Sequence, residues 1–278
     1  MKNYVKKGVV FGNGFLGNRI AGELGFELPD MNVLDTEKVQ KYLEENQPSV
    51  VINGVGETGR PNIDWCEQHR EQTFLANTAA PIILSASCAE KGIYFIHLGT
   101  GGFYSSSEES PADEEMTPNA VNNVYLESKL RAEETLKALH GLQLRIHTPL
   151  DDRPGERNLV DKLLKYPKLL GERASMTTVP YLIEIIRHFI ENPRDGIYNA
   201  VHPGTISPAE VMKIYQEVVD PDHTFTTISP AELAGLAKAS RPRAVLSTEK
   251  LADEGVVLPD IHTAVRESLV NYRKHQLS

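Results

Sequence analysis

Six residues near the start of the chain restrict its folding more than any others: Gly12-Asn13-Gly14-Phe15-Leu16-Gly17. They fit the pattern G-x-G-x-x-G. An apolar run at 8–11 precedes them, and an amphipathic helical pattern at 16–24 follows. The order is strand, tight turn, helix. The first glycine permits the turn, the second lets a pyrophosphate approach the backbone, and the third lets helix and strand pack closely. Amide N–H groups at the helix start then face the phosphates, and the helix dipole favours their charge. Glycines punctuate many tight turns, so the motif gains its meaning from this strand–helix context.

The same alternation continues along the chain. Strands are predicted at 49–53, 93–98 and 142–147, and helices at 36–45, 81–91 and 124–140. Strands alternating with helices predict right-handed crossovers and a parallel sheet covered on both faces. The fold class is therefore α/β, a Rossmann-like doubly wound parallel sheet. The pattern loosens at the polar, turn-rich segment 151–157, where a domain boundary is placed. Residues 1–150 are expected to form the dinucleotide-binding domain. Residues 151–278 are expected to form a smaller, mostly helical substrate region. Its predicted helices lie at 159–165, 181–191, 207–219, 230–239 and 261–276, with one strand at 196–201. Ser207-Pro208-Ala209-Glu210 reads as a capping box with proline at the first helical position.

Tyr125 and Lys129 stand four residues apart in a predicted helix, which places both on one face. An ammonium near a phenol favours the phenolate. Such a tyrosine can exchange a proton with a carbonyl oxygen while hydride moves at carbon. Thr100 follows the third clear strand, at the sheet edge where open α/β folds bind ligands. Its hydroxyl can bond the same carbonyl. The alternative for this pair is a surface tyrosine beside an exposed lysine; the glycine turn favours the functional reading.

The expected cofactor is NADPH or NADH. An acidic residue about 20 positions beyond the turn favours a free ribose 2′-hydroxyl. Glu27, Asp30 and Asp35 all fall near that window, and Asp35 is carried forward as the candidate. Pro29 keeps the intervening strand short.

The formal charge of −9 opposes a duplex-binding footprint and an anionic membrane surface. No stretch approaches the ~20 apolar residues of a membrane span. Two cysteines, Cys66 and Cys88, make neither a disulfide framework nor a four-thiolate zinc site. The nine histidines show no H-E-x-x-H spacing, so no metal is expected. A cytoplasmic protein without nucleic-acid or membrane partners is the expectation.

The segment Val55-Gly56-Glu57-Thr58-Gly59-Arg60-Pro61-Asn62-Ile63-Asp64-Trp65-Cys66-Glu67 closely resembles a signature loop of the dTDP-4-dehydrorhamnose reductase family. That family lies among the extended short-chain dehydrogenases/reductases. The likeness is strongest to the epimerase/reductases of UDP-rhamnose synthesis. Asn77, Gly99-Thr100-Gly101, Arg157-Asn158, Ser175-Met176-Thr177, Gly196-Ile197-Tyr198-Asn199 and Asp220-Pro221 follow in family order.

The resemblance implies reduction of the C4 ketone of a nucleotide-linked 4-keto-6-deoxy hexose. Thr100, Tyr125 and Lys129 would be catalytic, with Tyr125 as proton donor. Gly12, Asn13, Gly14, Phe15, Leu16, Gly17, Asp35, Asn77, Tyr125 and Lys129 would hold the cofactor, with NADPH slightly favoured. Thr58, Gly59, Arg60, Asn62, Asp64, Trp65, Thr100, Asn158, Lys162 and Arg241 would hold the nucleotide-sugar. Arg60 and Arg241 suit its diphosphate, because guanidinium groups bind phosphate bidentately. A homodimer is common among relatives.

Two departures from the family pattern stand out. Bifunctional relatives associate a cysteine and a lysine with isomerisation at C3 and C5. Lys162 falls on the lysine position, but Gly102 occupies the cysteine position and cannot shuttle a proton. The glycine turn also lacks the G-x-x-G-x-x-G spacing of many relatives. A bifunctional 3,5-epimerase/4-reductase, a non-catalytic cofactor-binding regulatory subunit and an epimerase or dehydratase on the same scaffold remain alternatives.

Overall fold

The structure is a computed structural model that describes residues 7–60, 62–233 and 243–277. The chain forms two compact units that interleave in sequence. One comprises Met1–Thr100, Val121–Leu144 and Arg187–Tyr198; the other comprises Gly101–Ala120, Arg145–Ile186 and Asn199–Ser278. Around the sequence-predicted boundary at 151–157, the chain has already entered the second unit at Arg145.

The elements of the first half are β1 (Gly8–Phe11), α1 (Phe15–Leu24), α2 (Thr36–Asn46), β2 (Val50–Asn53), α3 (Asp64–Gln68) and α4 (Arg70–Phe74). A π-helical turn, Leu75–Ala79, leads into α5 (Ala80–Ala89), followed by β3 (Tyr94–Thr100), α6 (Val124–Leu136) and β4 (Leu142–Ile146). Then come α7 (Leu159–Leu163), β5 (Lys168–Leu170), α8 (Val179–Glu191), β6 (Gly196–Asn199) and α9 (Pro208–Val218). The chain continues through β7 (Thr226–Ile228), α10 (Pro230–Leu233), α11 (Glu249–Asp253) and α12 (Ile261–Leu277).

The main sheet has the order β1-β2-β3-β4-β6. β1 pairs with β2, and β2 with β3, both in parallel. Every residue of β1 and β2 is buried. Continuous apolar runs such as Gly8-Val9-Val10-Phe11 suit a parallel strand covered on both faces. By alternation, Val9 and Phe11 point to one face and Val10 to the other. The first face carries a core with Val39, Leu43, Leu84, Cys88 and Leu136, drawn from α2, α5 and α6. On the second face α1 is so close that a Cβ on Gly17 would lie 3.7 Å from Val10 Cγ1. Helices thus cover both faces, as the predicted doubly wound class requires.

The strand expected just after α1 survives as one residue. Glu27 bridges Val9 in parallel, and its carbonyl accepts Val10 N–H at 2.8 Å. Pro29 lacks an N–H and stops the ladder there. The chain therefore runs outward from β1 to Glu27, then returns across β1 to β2. This reversal puts a topological switch point between the carboxyl ends of β1 and β2, the position where such sheets bind ligands.

The second unit holds a core built from α7, α9 and α12, including Val160, Val211, Met212, Val265, Leu269 and Tyr272. The predicted capping box at α9 is present: Ser207 Oγ accepts Glu210 N–H, and Glu210 returns a carboxylate to Ser207 N–H. Such caps contribute about 1 kcal/mol. β5 and β7 form a separate parallel pair that the sequence does not reveal, because three residues carry no readable period. The helix expected at 124–140 ends at Leu136. Of the helix expected at 230–239, Pro230–Leu233 is seen, and 234–239 lie outside the described residues. Among the described residues, no helix is long and apolar enough to cross a membrane.

Candidate active site

Glycine is obligatory at two corners of the switch point. Gly12 has φ +105°, and a Cβ there would lie 2.5 Å from Val55 N. A Cβ on Gly17 would lie 1.8 Å from the Gly12 carbonyl oxygen. These contacts press the start of α1 against the end of β1. Gly14 differs: its φ is −77°, and a Cβ there would meet nothing within 4 Å. No side chain caps α1, and no acidic residue lies in its first turn. Asn18 instead donates its amide to the carbonyls of Asn13 and Gly14, bracing the turn. The uncapped helix start and the open space at Gly14 fit a dinucleotide pyrophosphate.

The three nearby carboxylates have separate roles. Glu27 accepts the Tyr42 hydroxyl at 2.6 Å. Asp35 caps α2, accepting Lys38 N–H at 3.2 Å and pairing with Lys38 Nζ at 2.7 Å. That lysine holds the Asp35 carboxyl below its usual range. Asp30 is the carboxylate beside the glycine turn, with Asn13 Nδ2 donating to it at 3.5 Å. Asp35, the candidate from sequence spacing, thus stands at the cap of α2, while Asp30 adjoins the glycine turn.

Thr100, Tyr125 and Lys129 all belong to the first unit. Thr100 ends β3 and is buried. Asn123 caps α6 by accepting Leu126 N–H at 2.9 Å, which places Tyr125 in the first turn. Lys129 lies one turn further on the same face. Its Nζ donates to the Leu98 carbonyl at 3.4 Å and lies 3.1 Å from where a Gly56 Cβ would stand. Lys129 is only 7% exposed, and burial pushes its pKa down to about 8. The lysine head thus sits between the carboxyl ends of β2 and β3.

Asn77, expected at the cofactor, is fully buried in the π-helical turn. Its Oδ1 accepts Glu57 N–H at 2.8 Å, and its Nδ2 donates to Glu57 O at 2.9 Å and Ser128 Oγ at 3.0 Å. Ser128 Oγ in turn donates to Tyr125 O at 2.8 Å. One amide therefore ties the loop after β2 to the helix that carries Tyr125. Local π-helical widening of this kind is frequent at functional sites.

A second buried pair lies beneath this loop. Asn53 and His97 face each other in register across β2 and β3, with Asn53 Nδ2 3.0 Å from His97 Nδ1. Asn53 Oδ1 accepts Val55 N–H at 2.9 Å. Burial, with the nearby Lys129 charge, holds His97 well below its usual pKa, so it is neutral. Asn53 and Ser128 were not singled out from sequence. For Asn53 the available signal was a polar residue at the carboxyl end of a strand that otherwise reads as apolar.

The signature loop is also folded by its own residues. Glu57 Oε1 accepts Gly59 N–H at 2.7 Å, and Gly59 has φ +72°. Asn62 Oδ1 accepts Asp64 N–H at 2.9 Å at the start of α3. The Trp65 ring stacks on His69 with centroids 3.8 Å apart and planes at 3°. Thr58 and Arg60 are exposed.

In the second unit, Asn158 is fully buried as the N-cap of α7. Its Oδ1 accepts Asp151 N–H at 3.1 Å, and its Nδ2 donates to Asp151 O and Arg153 O. The amide therefore serves the turn at 151–158. Lys162 is exposed on α7, and Arg241 lies outside the described residues. Among the described residues, no three His, Cys, Asp or Glu side chains cluster to hold a metal ion.

The NAD dependent epimerase/dehydratase family matches residues 11–147. A bifunctional dTDP-4-dehydrorhamnose 3,5-epimerase/dTDP-4-dehydrorhamnose reductase from Arabidopsis thaliana is 32% identical over 246 residues, covering 86% of this chain and 80% of that protein. A trifunctional UDP-glucose 4,6-dehydratase/UDP-4-keto-6-deoxy-D-glucose 3,5-epimerase/UDP-4-keto-L-rhamnose-reductase from the same plant is 29% identical over 257 residues. The match covers 90% of this chain but only 38% of that longer relative. The crystal structure of the UDP-rhamnose synthase from Acanthamoeba polyphaga mimivirus is 25% identical, with TM-score 0.87 over 96% of this chain and 99% of that one. The dTDP-4-dehydrorhamnose reductase of Bacillus anthracis, solved with NADP, shares the fold with TM-score 0.83 at 19% identity, over 96% of this chain and 97% of that one. By sequence and by fold, the chain belongs to the dTDP-4-dehydrorhamnose reductase family of the extended short-chain dehydrogenases/reductases.

Proposed function

We propose that this chain reduces the C4 ketone of a nucleotide-linked 4-keto-6-deoxy hexose with NADH or NADPH. The observation that carries the reading is the buried Lys129 head, one helical turn from Tyr125 and between strand ends adjoining the glycine turn. The nicotinamide supplies the hydride. Tyr125 gives a proton to the ketone oxygen, Lys129 favours the phenolate that remains, and Thr100 orients the same oxygen. The start of α1 would hold the pyrophosphate, and Asp30 would accept from the adenosine ribose. Arg60 and the signature loop bind the nucleotide-sugar. Relatives named for dTDP- and UDP-linked rhamnose synthesis support this substrate class. Two buried cysteines without a disulfide suit a reduced, cytoplasmic setting. The bifunctional alternative is not favoured, because Gly102 offers no ionisable group where the resemblance places a cysteine.

The test follows nicotinamide absorbance with the UDP and dTDP forms of the 4-keto-6-deoxy-D-glucose nucleotide. Each is supplied directly and after treatment with a separate 3,5-epimerase. A reductase oxidises the cofactor with the treated substrate and yields the 6-deoxyhexose. A rhamnose product from untreated substrate would restore the bifunctional reading. Cofactor binding without oxidation in any arm would favour the regulatory-subunit reading.

A further inference from the structure

The first turn of α6 is held from outside its own helix. An α-helix leaves its first amides without intrahelical partners, and one N-cap side chain satisfies only one or two of them. Asn123 takes Leu126 N–H. Two residues earlier, Val124 N–H donates at 2.8 Å to Glu67 Oε1, which lies 57 residues before it in sequence. Arg70 NH2 then pairs with Glu127 at 2.7 Å, joining the same short segment to the same turn. In sequence Glu67 lies between the stacked Trp65 and His69, Arg70 follows them, and Glu67 closes the signature loop. Tyr125 lies between the two attachment points, Val124 and Glu127.

We infer that Glu67 is a positioning residue: through Val124 N–H it fixes the first turn of α6 and so aims Tyr125. The proposal rests on the assignment of Tyr125 as proton donor. Three features favour it over a merely decorative surface carboxylate. The acceptor is anionic and sits at a helix N-terminus, where the dipole strengthens the bond. The bond spans separate elements, so its loss frees a rigid-body motion of the turn as well as one amide. Proton transfer also requires close donor–acceptor geometry, and a displacement of about 1 Å can cost on the order of 100-fold in rate. The bond of Glu67 runs to α6 and not to the glycine turn, so cofactor affinity has no reason to follow it.

The experiment compares Glu67→Ala, Glu67→Gln and Tyr125→Phe with the unsubstituted chain. It reads kcat, KM for the keto-sugar, cofactor Kd by nicotinamide fluorescence, and melting temperature. Glu67→Ala should lower kcat by about tenfold or more while cofactor Kd stays within about twofold. Glu67→Gln keeps an acceptor oxygen and should recover most of the lost kcat. Unchanged kcat in Glu67→Ala, alongside an inactive Tyr125→Phe, would overturn the proposal and leave the Tyr125 assignment standing. So would a Glu67→Gln variant as impaired as Glu67→Ala, because charge and not the bond to Val124 would then matter. Full turnover by Tyr125→Phe would remove the Tyr125 assignment itself, and the positioning role with it.

Discussion

The carbonyl oxygen of Gly12 lies 1.8 Å from where a Cβ on Gly17 would stand, so these two residues define how closely α1 meets β1. Gly14 stands between them in sequence with open space around it and an ordinary φ of −77°. The contrast separates folding from ligand binding. Gly17→Ala should destabilise the fold, because a methyl group cannot share space with a backbone carbonyl. Gly14→Ala should leave the melting temperature of the ligand-free protein within about 1 °C, since exposed substitutions away from special features usually change stability by about 0.5 kcal/mol or less. It should nevertheless raise the cofactor Kd by about tenfold, because the backbone must approach the pyrophosphate there. Fluorescence titration with NADH and thermal melting decide the matter; unchanged affinity in Gly14→Ala would place the phosphates elsewhere.

Tyr125→Phe removes one hydroxyl from the first turn of α6. Its backbone carbonyl still receives Ser128 Oγ, so the local structure should persist. Positioned acid–base groups contribute roughly 10²–10⁴-fold to rate. Turnover should fall within that range while cofactor Kd stays nearly constant, as measured by steady-state kinetics and fluorescence titration on one preparation.

The fold was largely legible because its signals are long and periodic. The apolar runs that became β1, β2 and β3 are buried on both faces, and amphipathic stretches such as 36–45 became the helices over them. The glycine turn and the Tyr125/Lys129 spacing were readable for the same reason, since each is a local pattern. The polar scaffold was not. Asn77 reads as a family landmark, yet its amide is spent on Glu57 and Ser128, 20 and 51 residues away. Glu67 and Val124 meet over a similar separation. Such pairings depend on which elements the fold brings side by side, and no local period announces them. Asp35 shows a different limit: counting residues from the glycine turn reaches the cap of α2, while the one-residue strand at Glu27 leaves Asp30 beside that turn.

Asp30 therefore sets the expected cofactor preference. Its carboxylate lies beside Asn13 of the glycine turn, just beyond the one-residue strand at Glu27. A carboxylate there accepts from a ribose 2′-hydroxyl and repels a 2′-phosphate. The chain should prefer NADH, against the slight lean toward NADPH that resemblance alone gives. Asp30→Asn should shift the ratio of kcat/KM values toward NADPH by about tenfold, which corresponds to roughly 1.4 kcal/mol of relieved repulsion. Asp35→Asn should leave that ratio unchanged and alter stability little, since asparagine keeps the cap on α2 and only the exposed pair with Lys38 is lost. A ratio that shifts with Asp35→Asn and not with Asp30→Asn would place the ribose at Asp35.

Lys129 makes a prediction in which stability and activity move in opposite directions. Burial lowers its pKa from 10.5 to about 8, so the folded protein disfavours the charged ammonium. At about 1.4 kcal/mol per pH unit, this costs roughly 3 kcal/mol whenever the group is charged in both states. The sign follows from proton counting. Below about pH 8 both folded and unfolded chains hold the proton, and the cost is fully present. Between about pH 8 and 10.5 the unfolded chain binds more protons than the folded one, so stability contributed by this group rises with pH. Lys129→Met removes the buried charge and forgoes only the 3.4 Å contact with the Leu98 carbonyl. The variant should therefore melt higher than the unsubstituted protein at pH 7, by about 3–6 °C if half of the cost is recovered. Its advantage should shrink as the pH approaches 10. Turnover should be lost at every pH, and in the unsubstituted protein kcat/KM, which reports the free enzyme, should decline as the pH rises through about 8, where the ammonium that favours the Tyr125 phenolate is itself lost. A Lys129→Met variant that melts lower at pH 7 would mean that the ammonium is compensated in the fold and that burial does not depress its pKa.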